Sequence, residues 1–178
     1  MSEKKLIIDQ LKLTYEGLFD LPGLYRLIDE YFYDKGYDKR ERLNSELVLP
    51  TGRSVKIETN HYKNLTDYFK IVTRIRIYGS GIRRSDIDQN GAKLTLNEGK
   101  LMLIFDGYVI SDRFNRWERT PFLWFMRTLF DKYIFKGHYL RAEQWLMSDA
   151  EDLTSRIKSF LNVYRYRGRD VLTAHVLG

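Results

Sequence analysis

Residues 68–78 read YFKIVTRIRIY, and their alternation decides what kind of fold the chain can make. Phe69, Ile71, Thr73, Ile75 and Ile77 fall at every second position, which in an extended chain is one face. Tyr68, Lys70, Val72, Arg74, Arg76 and Tyr78 take the other. The first face needs cover, whereas the basic and aromatic face tolerates water. That is the pattern of an antiparallel strand with one wet side, since a strand of a parallel sheet is apolar on both.

The neighbouring segments extend the sheet in both directions. Upstream, residues 53–62 (RSVKIETNHY) place Val55, Ile57, Thr59 and His61 on one face. Residues 43–49 (LNSELVL) form the strand before them, joined through a Pro50-Thr51-Gly52 turn. Downstream, Gly79 to Gly91 reads as a loop. Ala92–Leu96 and Leu101–Ser111 then pair across an Asn97-Glu98-Gly99-Lys100 turn. Residues 6–18 supply a separate first strand. The expectation is an antiparallel meander of about five to six strands, packed against N-terminal and C-terminal helices in one α+β domain spanning 1–178.

The first helix starts at Asp20, with Pro22 in its first turn, a stripe of Leu24, Leu27, Ile28, Tyr31 and Phe32, and Gly36 as a left-handed stop. Residues 37–42 (YDKRER) read as a charged connector. From about residue 120 the chain turns helical. Thr120 and Pro121 open TPFLWFMRTLFDKYIFK, in which ten of the fourteen residues Phe122–Phe135 are apolar and six are aromatic. A helix apolar on nearly every side is covered by something. Phe122, Trp124, Phe125, Leu129, Phe130 and Tyr133 are therefore the candidate interface, with a homodimer among the ways to cover it. Residues 138–167 keep a 3.6 period through Leu146, Leu153, Ile157 and Leu161, while Ser148 and Glu151 make a capping box. The period argues for one helix and the box for two.

The order strand–helix–meander–helices resembles the helix-grip arrangement of START-like or Bet v 1-like proteins. The resemblance runs over most of the chain in element order, with no shared motif and with an additional aromatic helix before the last one. In those families a curved antiparallel sheet wraps a long C-terminal helix, and an apolar cavity between them commonly takes a ligand. The resemblance implies an α+β fold and a small apolar ligand as an alternative partner, and it carries no functional residue over to this chain.

Composition narrows the chemistry. The chain has no cysteine, so disulfides, thiolate metal sites and a cysteine nucleophile are excluded. Few prolines and many Lys, Glu, Arg and Tyr residues are a thermophile-like composition. No run of signal-peptide or membrane-span length is visible, and a cytoplasmic location is expected. His61, His138 and His175 are far apart, with no metal-ligand spacing. Asp86-Ile87-Asp88-Gln89-Asn90-Gly91 opens like a calcium loop, but position twelve is Asn97 where a bidentate glutamate is required. No phosphate loop, dinucleotide fingerprint or nucleophile elbow occurs. The expectation is a protein that is not an enzyme and needs no cofactor or metal.

Basic residues outnumber acidic ones by 30 to 24, a net charge of +6. That is modest, so distribution matters more than the total. Lys70, Arg74 and Arg76 share a strand face with Tyr68 and Tyr78, and Arg83 and Arg84 follow in the expected loop. Arg113, Arg116 and Trp117 form a second cluster, and Arg165, Arg167 and Arg169 alternate with Tyr164 and Tyr166. Arginines interleaved with aromatics suit phosphate contact and base stacking. RNA or a ribonucleoprotein particle is the expected partner; a protein–protein adaptor working through the aromatic helix is the other alternative.

Overall fold

A computed structural model of the chain describes residues 3–50, 52–66, 68–89, 92–111 and 136–176. Strand β1 (Glu3–Phe19) leads into helix α1 (Leu21–Asp34). Four strands follow, β2 (Asp38–Leu49), β3 (Gly52–Asn64), β4 (Lys70–Gln89) and β5 (Ala92–Ser111). Helix α2 (Lys136–Val176) closes the order. The five strands make one antiparallel sheet in the order β1-β5-β4-β3-β2, so the meander β2 to β5 is completed by β1 returning beside β5. The protein is an α+β fold, as the alternation in 68–78 requires.

That alternation survives residue by residue. Phe69, Ile71, Thr73, Ile75 and Ile77 are all buried, and on β3 so are Val55, Ile57, Thr59 and His61. Leu24, Ile28 and Phe32 of α1 and Leu146, Leu153, Ile157 and Leu161 of α2 join the same core. The Phe32 ring stacks on His61 with centroids 4.1 Å apart. Burying each of these large side chains contributes about 1.5–3 kcal/mol, which is what seats both helices on one face. Gly107 makes room for α2: a methyl group there would lie 2.8 Å from Leu146 Cδ2. Asp149 ties the two helices, accepting hydrogen bonds from Tyr37 at 2.8 Å and Lys35 at 2.9 Å, while its carbonyl accepts one from Tyr31.

Helix α1 ends as its sequence says. Gly36 has φ 73°, its N–H donates to the Tyr33 carbonyl, and the Tyr37 N–H donates to the Phe32 carbonyl. This is the paired bonding of a Schellman stop. Asp20 occupies the N-cap position without a side-chain capping bond.

Helix α2 is continuous through Ser148 and Glu151, so the apolar period outweighed the capping box. Its Ala142, Leu146, Ala150, Leu153, Ile157 and Leu161 are all buried, and burial of that stripe exceeds the worth of one cap. Among the described residues no helix is long and apolar enough to cross a membrane.

Three expectations are corrected. The charged segment 38–42 is strand, because Asp38 to Glu41 pair with Tyr62 to Thr59 and thereby satisfy their backbone. The segment 79–89 is also strand, with a register shift between Ser80 and Arg83. Finally, 97–100 is no turn: Asn97 to Lys100 pair with Phe19 to Glu16 inside a single long β5, and the chain reverses between Gln89 and Ala92. The glycines there crease the sheet without reversing it. Gly17 lies opposite Gly99, a methyl on Gly99 would meet Ile82 Cα and Ser80 O at 3.1 Å, and one on Gly52 would meet the Gly81 carbonyl carbon at 2.9 Å. At Gly52 only glycine permits so close a backbone, and at Gly99 any side chain would push its neighbours apart.

Candidate polyanion site on the open sheet face

The side of the sheet away from the helices carries the other half of each alternation. At one end of it lies a depression of 280 Å³ to which all five strands contribute. Lys4 comes from β1, Tyr108 and Ile110 from β5, and Lys70, Val72 and Arg74 from β4. Asn60 and Tyr62 come from β3, and Arg40 and Arg42 from β2. Five of these ten residues are cations and none is a carboxylate.

Local structure aims each of them. Tyr108, Val72 and Tyr62 form one row across β5, β4 and β3, and Arg74, Asn60 and Arg40 form the next. In β2 a register shift between Glu41 and Leu43 leaves Arg42 without a partner in the ladder. Such a bulge re-aims a side chain, and here it adds a cation beside Arg40. Lys4 Nζ sits 3.6 Å from the centre of the Tyr108 ring, and Lys70 Nζ sits 3.9 Å from that of Tyr62. The tyrosines thus act as platforms that hold ammonium groups over the sheet.

Beneath the arginines is a buried carboxylate. Asp106 Oδ2 accepts hydrogen bonds from Arg74 Nε at 2.9 Å and Arg76 Nη2 at 2.7 Å. Its Oδ1 accepts the backbone N–H of Gln10 at 3.1 Å. Gln10 has φ 48°, an uncommon conformation for a residue with a side chain, and it lies where β1 loses register between Ile8 and Leu11. Arg74 Nη2 also donates to the Tyr108 hydroxyl at 2.9 Å. Burial alone would lower the Arg74 guanidinium; its hydrogen bond to Asp106 and the fields of Tyr108, Asp106 and Glu58 together outweigh that and hold it above its ordinary value. The Lys4 ammonium is lowered, first by burial and then by the fields of Arg74 and Arg42. The neighbouring guanidinium groups thus add to burial in disfavouring the Lys4 charge.

Of the residues singled out in sequence, Lys70 and Arg74 line the basin and Arg76 shares its anchor. Arg83 and Arg84 do not join them. They pair in register with Glu98 and Asn97 beyond the glycine crease, where Arg83 lines a separate depression with Glu16 and Lys100. Arg113, Arg116 and Trp117 lie outside the described residues, as do Phe122, Trp124, Phe125, Leu129, Phe130 and Tyr133. The side chains of Arg165, Arg167 and Arg169 are likewise outside those described, although their backbone belongs to α2. Asp86 is strand, and its Oδ1 accepts a hydrogen bond from Thr95 at 2.8 Å. Among the described residues no group of three histidines or carboxylates is placed to hold a metal ion.

Sequence reasoning missed Lys4, Arg40, Arg42, Tyr62, Tyr108 and Asp106. Asp106 gave a signal, since it is the one charged residue in the run 101–111 (LMLIFDGYVIS). Lys4 and Arg40 gave none, because they reach the basin only through the pairing of distant strands.

No family model and no curated protein matches the chain. Among solved structures, an uncharacterized protein from Rhizobium leguminosarum aligns over 88% of this chain and 99% of its own, at 11% identity and a TM-score of 0.21. A likeness that slight carries no argument about fold or function.

Proposed function

We propose that this protein acts by binding RNA, free or within a ribonucleoprotein particle, and that the open sheet face is the contact surface. One observation carries the reading: five cations and two tyrosines from five strands converge on a basin that no carboxylate lines among the described residues. A half-buried antiparallel sheet is wet on one side in any case. An ordinary wet face interleaves both signs of charge, however, and here the described acids whose fields or bonds reach the basin, among them Asp9, Glu58 and Asp106, sit outside the lining. Fixed positive charge of this kind favours the phosphate backbone and makes affinity fall with salt.

The test is RNA binding across a salt series for the parent and for a Lys4→Gln, Arg40→Ser, Arg42→Ser variant. All three residues are exposed, so the variant keeps its fold. Its salt slope should fall by about one for each phosphate that it no longer engages. RNA that fails to bind the parent at low salt, or binds the variant with an unchanged slope, overturns the reading.

A further inference from the structure

Resting on that reading, we infer that the basin takes a terminal phosphate cluster, the di- or triphosphate of an RNA 5′ end, in preference to internal phosphodiesters. The geometry is that of a compact well. In a flat sheet β1 and β2, four strand spacings apart, would be separated by roughly 19 Å. Yet Lys4 on β1 lies within the field of Arg42 on β2, and both line the same depression. Side chains from the two edge strands therefore lean inward over one depression.

Charge density separates the two kinds of ligand. A chain of phosphodiesters brings one charge per residue of backbone. A terminal phosphate brings about −1.5 to −2 with three acceptor oxygens, and a di- or triphosphate brings more in the same space. A volume of 280 Å³ holds about nine water molecules, room for a group of several phosphates. Within it stand donors on Lys4, Arg40, Arg42, Lys70 and Arg74. Guanidinium and ammonium groups converging from several sides meet a tetrahedral, multiply charged group better than they meet a strand passing over a surface.

The tyrosines point the same way. With Lys4 over Tyr108 and Lys70 over Tyr62, one face of each ring already holds an ammonium group. A base stacking on that face would have to displace it, whereas a phosphate would gain from it.

The experiment compares two RNAs of one sequence, one with a 5′-triphosphate and one with a 5′-hydroxyl, and uses inorganic tripolyphosphate as competitor at matched ionic strength. The triphosphate RNA should bind about tenfold or more tightly, tripolyphosphate should displace it, and the Lys4→Gln, Arg40→Ser, Arg42→Ser variant should lose the difference. Equal affinity for the two ends, with no displacement by tripolyphosphate, overturns the inference and leaves RNA binding standing. Tripolyphosphate bound while neither RNA is retained keeps the inference with free polyphosphate as its source, and overturns the RNA reading. Retention of none of the three overturns both.

Discussion

On β4, Ile75 is fully closed into the core, while its chain neighbours Arg74 and Arg76 stand on the opposite face with 29% and 19% of their side chains exposed. The helix-covered face is held by burial, which is additive and tolerant of detail. The open face has at its centre a buried carboxylate, Asp106, on which two guanidinium groups and a strained backbone N–H converge. A sheet can thus keep a rigid charged surface facing water provided a counter-charge is built in beneath it. The two faces should therefore fail differently when disturbed.

The largest effect is expected on the covered face. Ile75→Asp puts a carboxylate where no partner can reach it, and the protein should not fold. A soluble variant with a parent-like circular dichroism spectrum and melting transition would show that this face is less closed than its burial indicates.

Next is the anchor of the open face. Asp106→Ala leaves Arg74 and Arg76 half-buried without their shared carboxylate, and should cost about 3–5 kcal/mol in urea unfolding. Asp106→Asn keeps the shape and loses the charge, so it should cost less while weakening the hold on both arginines. Equal, small losses in the two variants would mean that the guanidinium groups are positioned by the strand alone.

The covered face also contains a titrating group. Burial, aided by the Lys39 charge and opposed by that of Asp29, lowers the His61 pKa from 6.5 to about 4. Since the folded pKa lies below the unfolded one, the contribution is whole above pH 6.5 and is lost as pH falls from 6.5 to about 4. That loss amounts to about 3 kcal/mol. His61→Phe, which keeps a ring against Phe32, should remove this part of the acid sensitivity. Parent and variant stabilities that fall in parallel from pH 7 to pH 4 would contradict it.

What was legible in sequence follows the same division. The covered face could be read because burial imposes a period: Phe69 to Ile77 and the α2 stripe announced themselves before any contact was known. The turn at 97–100 was misread because glycine marks a sharp reversal and a close strand crossing with the same letter, and only the pairing of Gly17 with Gly99 tells them apart. The basin was half legible. Lys70, Arg74 and Arg76 lie on one strand and share a period, but Lys4 and Arg40 come from opposite edges of the sheet, and nothing local links them. Arg83 and Arg84 stand apart from the basin for the converse reason, since nearness in sequence to Arg76 does not survive the register shift after Ser80.

That separation yields the smallest expected effect. Arg83 and Arg84 are exposed and stand beyond the crease, on the stretch of β4 paired with Glu98 and Asn97. If binding depends on total positive charge, an Arg83→Ser, Arg84→Ser variant should lose about as much affinity as any other double removal of charge. If it depends on the basin, stability should change by no more than about 0.5 kcal/mol, and the salt slope for RNA should stay that of the parent. The slope is the better readout, because it counts phosphates engaged and is insensitive to small shifts in affinity. A drop of about two in that slope would place the contact surface along the whole length of β4 and would remove the distinction between the two ends of the open face.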